Sequence, residues 1–373
     1  MKPQSQPQSY TPENPPMYSS NDEIDLRELF KALWDGKLII ILLTALFTAS
    51  SVGFALFAQE WWSSSAKVTK PQSQNFAAFQ QQVKQFQPVF NTYQEDGTVL
   101  VNRELDSLIN PEVMFQDFVS AFNSTNNKRD FFDSNSEFQK LKNSSVVGSD
   151  MTADDVRALY GQWFSRISAS KVDKKGSNTA YTLNFQTMTK ESSFNWLTAY
   201  ISEIEAKVHQ DTFNNLRVMV DSKRNELMQQ KKILEIQARH QLLNETERSQ
   251  YAMRIAQAAG IDKPIYTGNH KELFGIDLGS KGLQEKVKTL KSIENLTVIE
   301  PRLQQINAKL DILNSLKIDR TVEFQPFRYL SDVEQPITRD KPKRALIVVL
   351  GTLLGGMLGV AIVLIRFAFR KED

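Results

Sequence analysis

Three histidines and no cysteine occur in the 373 residues of this chain, which removes thiol catalysis, disulfides, iron–sulfur clusters and cysteine-based zinc sites from its chemistry. His209, His240 and His270 stand 31 and 30 residues apart. If His209 and His240 share one continuous helix, roughly 46 Å separates them along its axis, too far to share a metal or a substrate. GIDLGSK at 275–281 has the residue types of a phosphate loop. The spacing G-x-x-x-x-G-K-[ST] is broken, however, and no apolar strand leads into it, so it reads as a turn. The pairs Asp154–Asp155 and Glu203–Glu205 could do acid–base work only if they faced each other. Adjacent and i, i+2 positions do not meet on a helix, and both pairs read as solvated charge. No catalytic, cofactor-binding or metal-ligating constellation is expected. Lys and Arg number 45 against 43 Asp and Glu, a net charge of +2. That gives little electrostatic capture of phosphate backbones, and nucleic acid is not an expected partner.

Two elements dominate the class of the molecule. Leu38–Phe57 (LIIILLTALFTASSVGFALF) and Ala345–Ile365 (ALIVVLGTLLGGMLGVAIVLI) are uncharged runs of 20 and 21 residues, each long enough for a hydrocarbon core of about 30 Å. A cleaved signal peptide is a poor reading of the first run: 37 residues precede it, the apolar stretch is too long, and no A-x-A site follows promptly. Two spans place both chain ends on one side and 58–344 on the other. Arg27, Lys31 and Lys37 precede the first span, and nothing basic follows it until Lys67, which predicts a cytoplasmic amino terminus. At the second span Arg339, Lys341, Lys343 and Arg344 crowd one end, and Arg366, Arg370 and Lys371 the other. Because the rule weakens for long translocated loops, the first span decides. Trp61, Trp62, Lys343 and Arg344 are the expected membrane-interface residues.

Residues 1–20, rich in Pro, Gln and Ser, read as a disordered tail. In 21–37, Ser20 and Glu23 have capping-box spacing, and Leu26, Leu29, Phe30, Leu33 and Trp34 share a helical face, as in an amphipathic helix at the inner surface or a helical lead-in to the span. The large domain is expected to have an α/β base (58–190 and 318–344) with strands at WSSSAKVT, Asn178–Thr187 and Thr321–Tyr329. Helical spacing occupies Phe76–Tyr93, Leu100–Phe122 and Ala153–Ile167. From Glu191 to Ala259 neither Gly nor Pro occurs, which as one helix gives about 100 Å. Leu197, Ile201, Ile204, Val208, Leu216, Val220, Leu227 and Leu234 draw a narrow seam along it, suited to a coiled-coil-like partner, and the mostly polar part beyond Ile236 is expected to be water-exposed. After the glycines from Gly260 to Gly282, helices over Leu283–Asn295 and Arg302–Leu316 carry the chain back, closing a hairpin over 191–317. In the spans, Gly351, Gly355 and Gly359, and likewise Ala45, Ala49 and Gly53, recur every fourth residue. Such faces let helices approach closely in lipid, within or between protomers. Val348 is expected on a different face from Gly355. The fold class is an α+β membrane protein, with two transmembrane helices flanking an α/β base and a very long protruding helical hairpin.

Three stretches carry a family resemblance: IDLRELFKALWDGK at Ile24–Lys37, WSSSAKVTKP at Trp62–Pro71, and FRYLSDVEQPITRDKPKRALIVVLGTLLGGMLG at Phe327–Gly359. The last joins a Pro-containing segment (Pro326, Pro336, Pro342), a basic KPKR and a Gly-rich span in one register. The chain resembles the Wzz-type chain-length determinants, class 1 polysaccharide co-polymerases of Gram-negative inner membranes. YAMRIAQAAGIDKPIY at Tyr251–Tyr266 is similar to the FepE-like subgroup that sets long or very long O-antigen. Residues 76–150 match no motif of the family. The resemblance implies a ring-shaped homo-oligomer, an octamer, with a periplasmic domain and both termini cytoplasmic. It also implies action with the O-antigen polymerase Wzy on lipid-linked polysaccharide (undecaprenyl-diphosphate-linked repeats), setting the modal length of lipopolysaccharide chains without catalysis or cofactor. The alternatives are a co-polymerase for capsule, exopolysaccharide or enterobacterial common antigen and, more distantly, a helical-hairpin periplasmic adaptor of an envelope transport complex. An autokinase would need an ATP-binding domain after the second span, where RFAFRKED stands.

Overall fold

The computed structural model describes residues 26–94, 96–144, 152–173, 179–265 and 274–371. The tail 1–20, the capping pair Ser20 and Glu23, Asn178 and His270 lie outside them. In chain order the elements are α1 (Leu26–Asp35), α2 (Lys37–Phe57), β1 (Trp62–Thr69), α3 (Ala77–Gln85), α4 (Gln87–Phe90), β2 (Thr92–Tyr93), β3 (Val99–Leu100), α5 (Pro111–Asn123), α6 (Thr125–Ser134), α7 (Ser136–Ser144) and α8 (Ala153–Phe164). There follow β4 (Ile167–Lys171), β5 (Tyr181–Thr187), α9 (Lys190–Ala258), α10 (Gly279–Lys291), α11 (Arg302–Ser315), β6 (Arg328–Glu334) and α12 (Arg344–Lys371). The chain divides into two compact units, 1–62 with 337–373, and 63–336.

In the first unit lie α2 and α12, among the described residues the two helices apolar and long enough to cross a membrane, and they pack against each other along their length. Both predicted spans are present as helices, and α12 continues to Lys371.

In the second unit a four-stranded sheet has the order β4-β5-β1-β6, with β4 antiparallel to β5 and β6 antiparallel to β1. Alternate residues of β5 are buried, as a strand with one face on a core requires. Two strand expectations shift. Thr321–Phe327 is not a strand, and pairing begins at Arg328. Pro326 has no N–H to give to a ladder, and Phe324 instead stacks against Phe79 at 4.7 Å. Ile167, expected at a helix end, opens β4, because α8 already stops at Phe164.

The core explains the many phenylalanines of 76–150. Phe115, Phe118, Phe122, Phe132 and Phe138 are fully buried, and Phe122, Phe131 and Phe132 make edge or tilted contacts with Tyr200, Phe185 and Trp196. Such ring pairs contribute about 0.5–1.5 kcal/mol each beyond their area. NSTNNK at 123–128, expected only to interrupt helices, starts one: the Ser124 hydroxyl accepts from the Asn127 N–H, an N-cap.

Helix α9 runs unbroken for 69 residues. Thr189 caps its start by accepting from Ser192 N–H. Gly260 at φ +69° ends it, with Gly260 N–H bonded to Gln257 O and Ile261 N–H to Ala256 O. This pairing satisfies the last carbonyls and needs a left-handed residue, which glycine adopts without penalty.

Candidate functional site: the span seam and the long helix

Gly351, Gly355 and Gly359 face α2 at a separation that excludes any side chain. A β-carbon on Gly351 would stand 2.5 Å from Ser51 Cβ, one on Gly355 2.7 Å from Phe47 Cβ and 3.0 Å from Thr44 Cα, and one on Gly359 2.8 Å from Ile40 Cα. At Gly36, between α1 and α2, it would meet Val363 Cγ1 at 2.5 Å. The seam therefore steps by four along α12 (351, 355, 359, 363) and runs antiparallel to Ser51, Phe47, Ile40 and Gly36. Thr48 and Thr352 hydroxyls meet across it at 3.0 Å, and each hydroxyl also reaches a carbonyl one turn back in its own helix. Without a hydrophobic driving force in lipid, close van der Waals contact and such bonds are what hold helices together.

Ala45, Ala49 and Gly53 are not the partners of these glycines. Ala45 and Ala49 are exposed on the single chain, and a β-carbon on Gly53 would meet nothing within 4 Å. Ile40, Thr44, Phe47 and Ser51 supply the facing surface, and no small-residue pattern marked them. Val348 is not on a different face: it stands seven residues, nearly two full turns, before Gly355. At one end of the seam Leu29, Ala32 and Leu33 of α1 are half-buried while Phe30 and Trp34 are exposed. At the other end Glu60 Oε1 accepts from Arg339 at 3.0 Å and from Arg344 at 2.9 Å. Arg344 Nε also donates to Ala55 O, a free carbonyl at the end of α2. Trp61 pairs main chain to main chain with Lys341. Trp61 and Trp62 are half-buried, and Lys343 is exposed.

All eight seam residues of α9, Leu197, Ile201, Ile204, Val208, Leu216, Val220, Leu227 and Leu234, are buried. They do not meet a single coiled-coil partner. Leu216, Val220, Leu227 and Leu234 join Phe76, Phe79, Phe86, Leu105, Leu303 and Leu313 in one core, so helices before and after α9 in sequence both cover it. Beyond Ile236 the water-exposed expectation fails on one face. Ala252 and Ala256 are buried against Leu283, and Lys286 pairs with Glu245 at 2.6 Å. Periodicity of large residues missed this face because small residues make it, letting α10 sit close. Val218, Ile236 and Leu243 are about half exposed. At about 100° per residue they lie on the side of α9 roughly opposite the buried seam. The long helix is two-faced, one apolar face covered by its own chain and one open.

His209 is half-buried at the edge of the core. Its Nε2 donates to Val322 O at 2.8 Å and its ring stacks on Phe324 at 5.0 Å. His240 is exposed. Glu205, one turn before His209, has its carboxyl pushed above the usual range by burial and secondarily by Glu323, with His209 opposing. Burial also pushes the Tyr329 hydroxyl up to about 12. Among the described residues no group of three metal-ligating side chains converges. GIDLGSK is a tight turn into α10: Gly279 has φ +64° and passes so close that a β-carbon would stand 2.6 Å from Lys263 O.

A paired span seam, a small sheet and a very long helix covered by its own flanking segments make up this fold. A solved full-length bacterial polysaccharide co-polymerase superposes with a TM-score of 0.61 at 24% identity, covering 94% of this chain and 99% of that one. The Wzz family model, described as chain length determinant protein, matches residues 22–109, and GNVR, a G-rich domain described on tyrosine kinases, matches 304–368. The chain is 26% identical to the Ferric enterobactin transport protein FepE of Escherichia coli (strain K12), over 98% of this chain and 95% of that protein. It is 26% identical to the Chain length determinant protein of the same strain, over 94% and 95%.

Proposed function

We propose that this protein regulates O-antigen chain length without catalysing a reaction, acting with the Wzy polymerase on undecaprenyl-diphosphate-linked polysaccharide to set a modal length. The observation that carries the reading is chain-wide similarity to chain length determinant proteins in sequence and to a co-polymerase in fold. In the proposed topology both termini are cytoplasmic and 58–344 is periplasmic, in a bacterial inner membrane. Arg27, Lys31 and Lys37 before the first span support that orientation.

The working form is a ring-shaped homo-oligomer. The open apolar face of α9, opposite the one its own chain covers, supports side-by-side assembly, since a ring needs two different surfaces on each subunit. A solved Wzz assembly is described as a dodecamer, which differs from the octamer implied by resemblance.

Deleting the gene and resolving lipopolysaccharide on a gel tests the reading. Polymerised O-antigen is expected to persist with a broad or short distribution. Complete loss of polymer would assign a polymerase subunit instead, and a change confined to a capsule would assign an exopolysaccharide partner. Alkaline phosphatase fused after Lys70 is expected to be active, and fused at Asp373 inactive.

A further inference from the structure

Four cations, Arg339, Lys341, Lys343 and Arg344, stand within six residues at the start of α12. They are not equivalent. Arg339 and Arg344 both spend a guanidinium N–H on Glu60, and Arg344 spends another on Ala55 O. Lys341 and Lys343 are exposed, and among the described residues no carboxylate lies within ion-pairing distance of either ammonium. Against the four cations the segment offers two carboxylates, Glu60 and Asp340, leaving two positive charges in excess.

The main chain fixes where those charges sit. Trp61 N–H donates to Lys341 O and Asp340 N–H to Trp61 O, so the residue that leaves the first span and the residue that approaches the second are locked side by side. Chain continuity puts this pair at the membrane–water boundary, because α2 ends at Phe57 and α12 begins at Arg344. As bridge partners, Trp61 and Lys341 project to the same side. An indole and an ammonium together suit the depth at which aromatic belts and lipid phosphates lie. Under the orientation proposed above, cations at this end also oppose the insertion bias set by Arg27, Lys31 and Lys37.

We propose that Lys341 and Lys343, beside Trp61, bind the phosphate of an anionic membrane lipid, with the Glu60–Arg339–Arg344 clamp holding them at headgroup depth. The recognised chemistry is a phosphate ester carried at the bilayer surface. The inference does not depend on the chain-length reading.

The test uses the full chain in phosphatidylcholine nanodiscs containing a minor fraction of phosphatidylglycerol with a photoactivatable headgroup, with labelled peptides identified by mass spectrometry. Labelling is expected on 337–344. Each lysine near an anionic surface contributes about 1 kcal/mol, so Lys341→Gln with Lys343→Gln weakens this labelling roughly thirty-fold, while labelling around Arg366, at the other end of the span, stays constant as an internal reference. Lys341→Arg with Lys343→Arg keeps both charges and is expected to retain labelling, and its loss in this pair would overturn recognition by charge. The proposal is overturned if the Gln pair labels like the parent, if both ends of α12 fall together, or if millimolar inorganic phosphate displaces the lipid, which would mark a soluble-anion site.

Discussion

Alanine at Gly355 is the smallest change that reaches the span seam. The added methyl would stand 2.7 Å from Phe47 Cβ and 3.0 Å from Thr44 Cα, where relaxed carbon contacts lie at about 3.5–4.0 Å. Neither neighbouring atom can rotate away, since both are fixed to a helix backbone, so the helices must part by about 1 Å. Overpacking of this kind costs about 1–3 kcal/mol. The same parting loosens the contacts at Gly351 and Gly359, so a second alanine at either position adds less than the first. The chain has no cysteine, which makes Thr48→Cys with Thr352→Cys a clean probe of span contact, the native hydroxyls being 3.0 Å apart. Oxidation of that pair in membranes, read as intrachain disulfide by mass spectrometry, is expected to slow roughly tenfold with Gly355→Ala, corresponding to about 1.4 kcal/mol. Gly53→Ala, whose methyl meets nothing within 4 Å, should leave it unchanged. Equal rates in the Gly355 and Gly53 variants would refute the close-contact argument.

Leu227→Ala empties part of the core under α9 and is expected to cost about 3 kcal/mol, read as a lower midpoint of thermal unfolding by circular dichroism. Glu205 has its native carboxyl raised above 4.5 by burial first and Glu323 second. The unfolded carboxyl loses its proton earlier, so the native state holds more protons in the window above 4.5, and stability falls as pH rises through it. Glu205→Gln should remove that fall and raise the unfolding midpoint at neutral pH. Ile236→Lys with Leu243→Lys, on the open face of α9, should lower the assembly mass measured by light scattering while leaving the helical circular dichroism spectrum at low temperature unchanged, as surface changes that spare the core do.

Much of this fold is legible in the residues because long-period signals are hard to mimic. The spans and the run from Glu191 to Ala259 without Gly or Pro need only composition and length. Other features depend on tertiary choice. Thr321–Phe327 alternates like a strand, yet Phe324 is taken by the Phe79 and His209 rings. No motif is legible in 76–150, although the matching family model reaches residue 109, because the phenylalanines there are matched to one another in space and not in sequence. The small-residue face at Ala252 and Ala256 escapes any search for large apolar residues. In the spans the glycines of α12 announce a close approach, but their partners Ile40, Thr44, Phe47 and Ser51 are ordinary span residues that only the crossing geometry selects.

The most direct measurement places this chain in a strain that has an O-antigen polymerase but lacks its own chain-length determinant, and resolves the lipopolysaccharide by gel electrophoresis. A narrow modal band cluster is expected to appear with the intact chain and to broaden with Gly355→Ala, at unchanged protein level and unchanged total polymer. A distribution identical with and without the chain, or total polymer that rises and falls with it, would contradict the account.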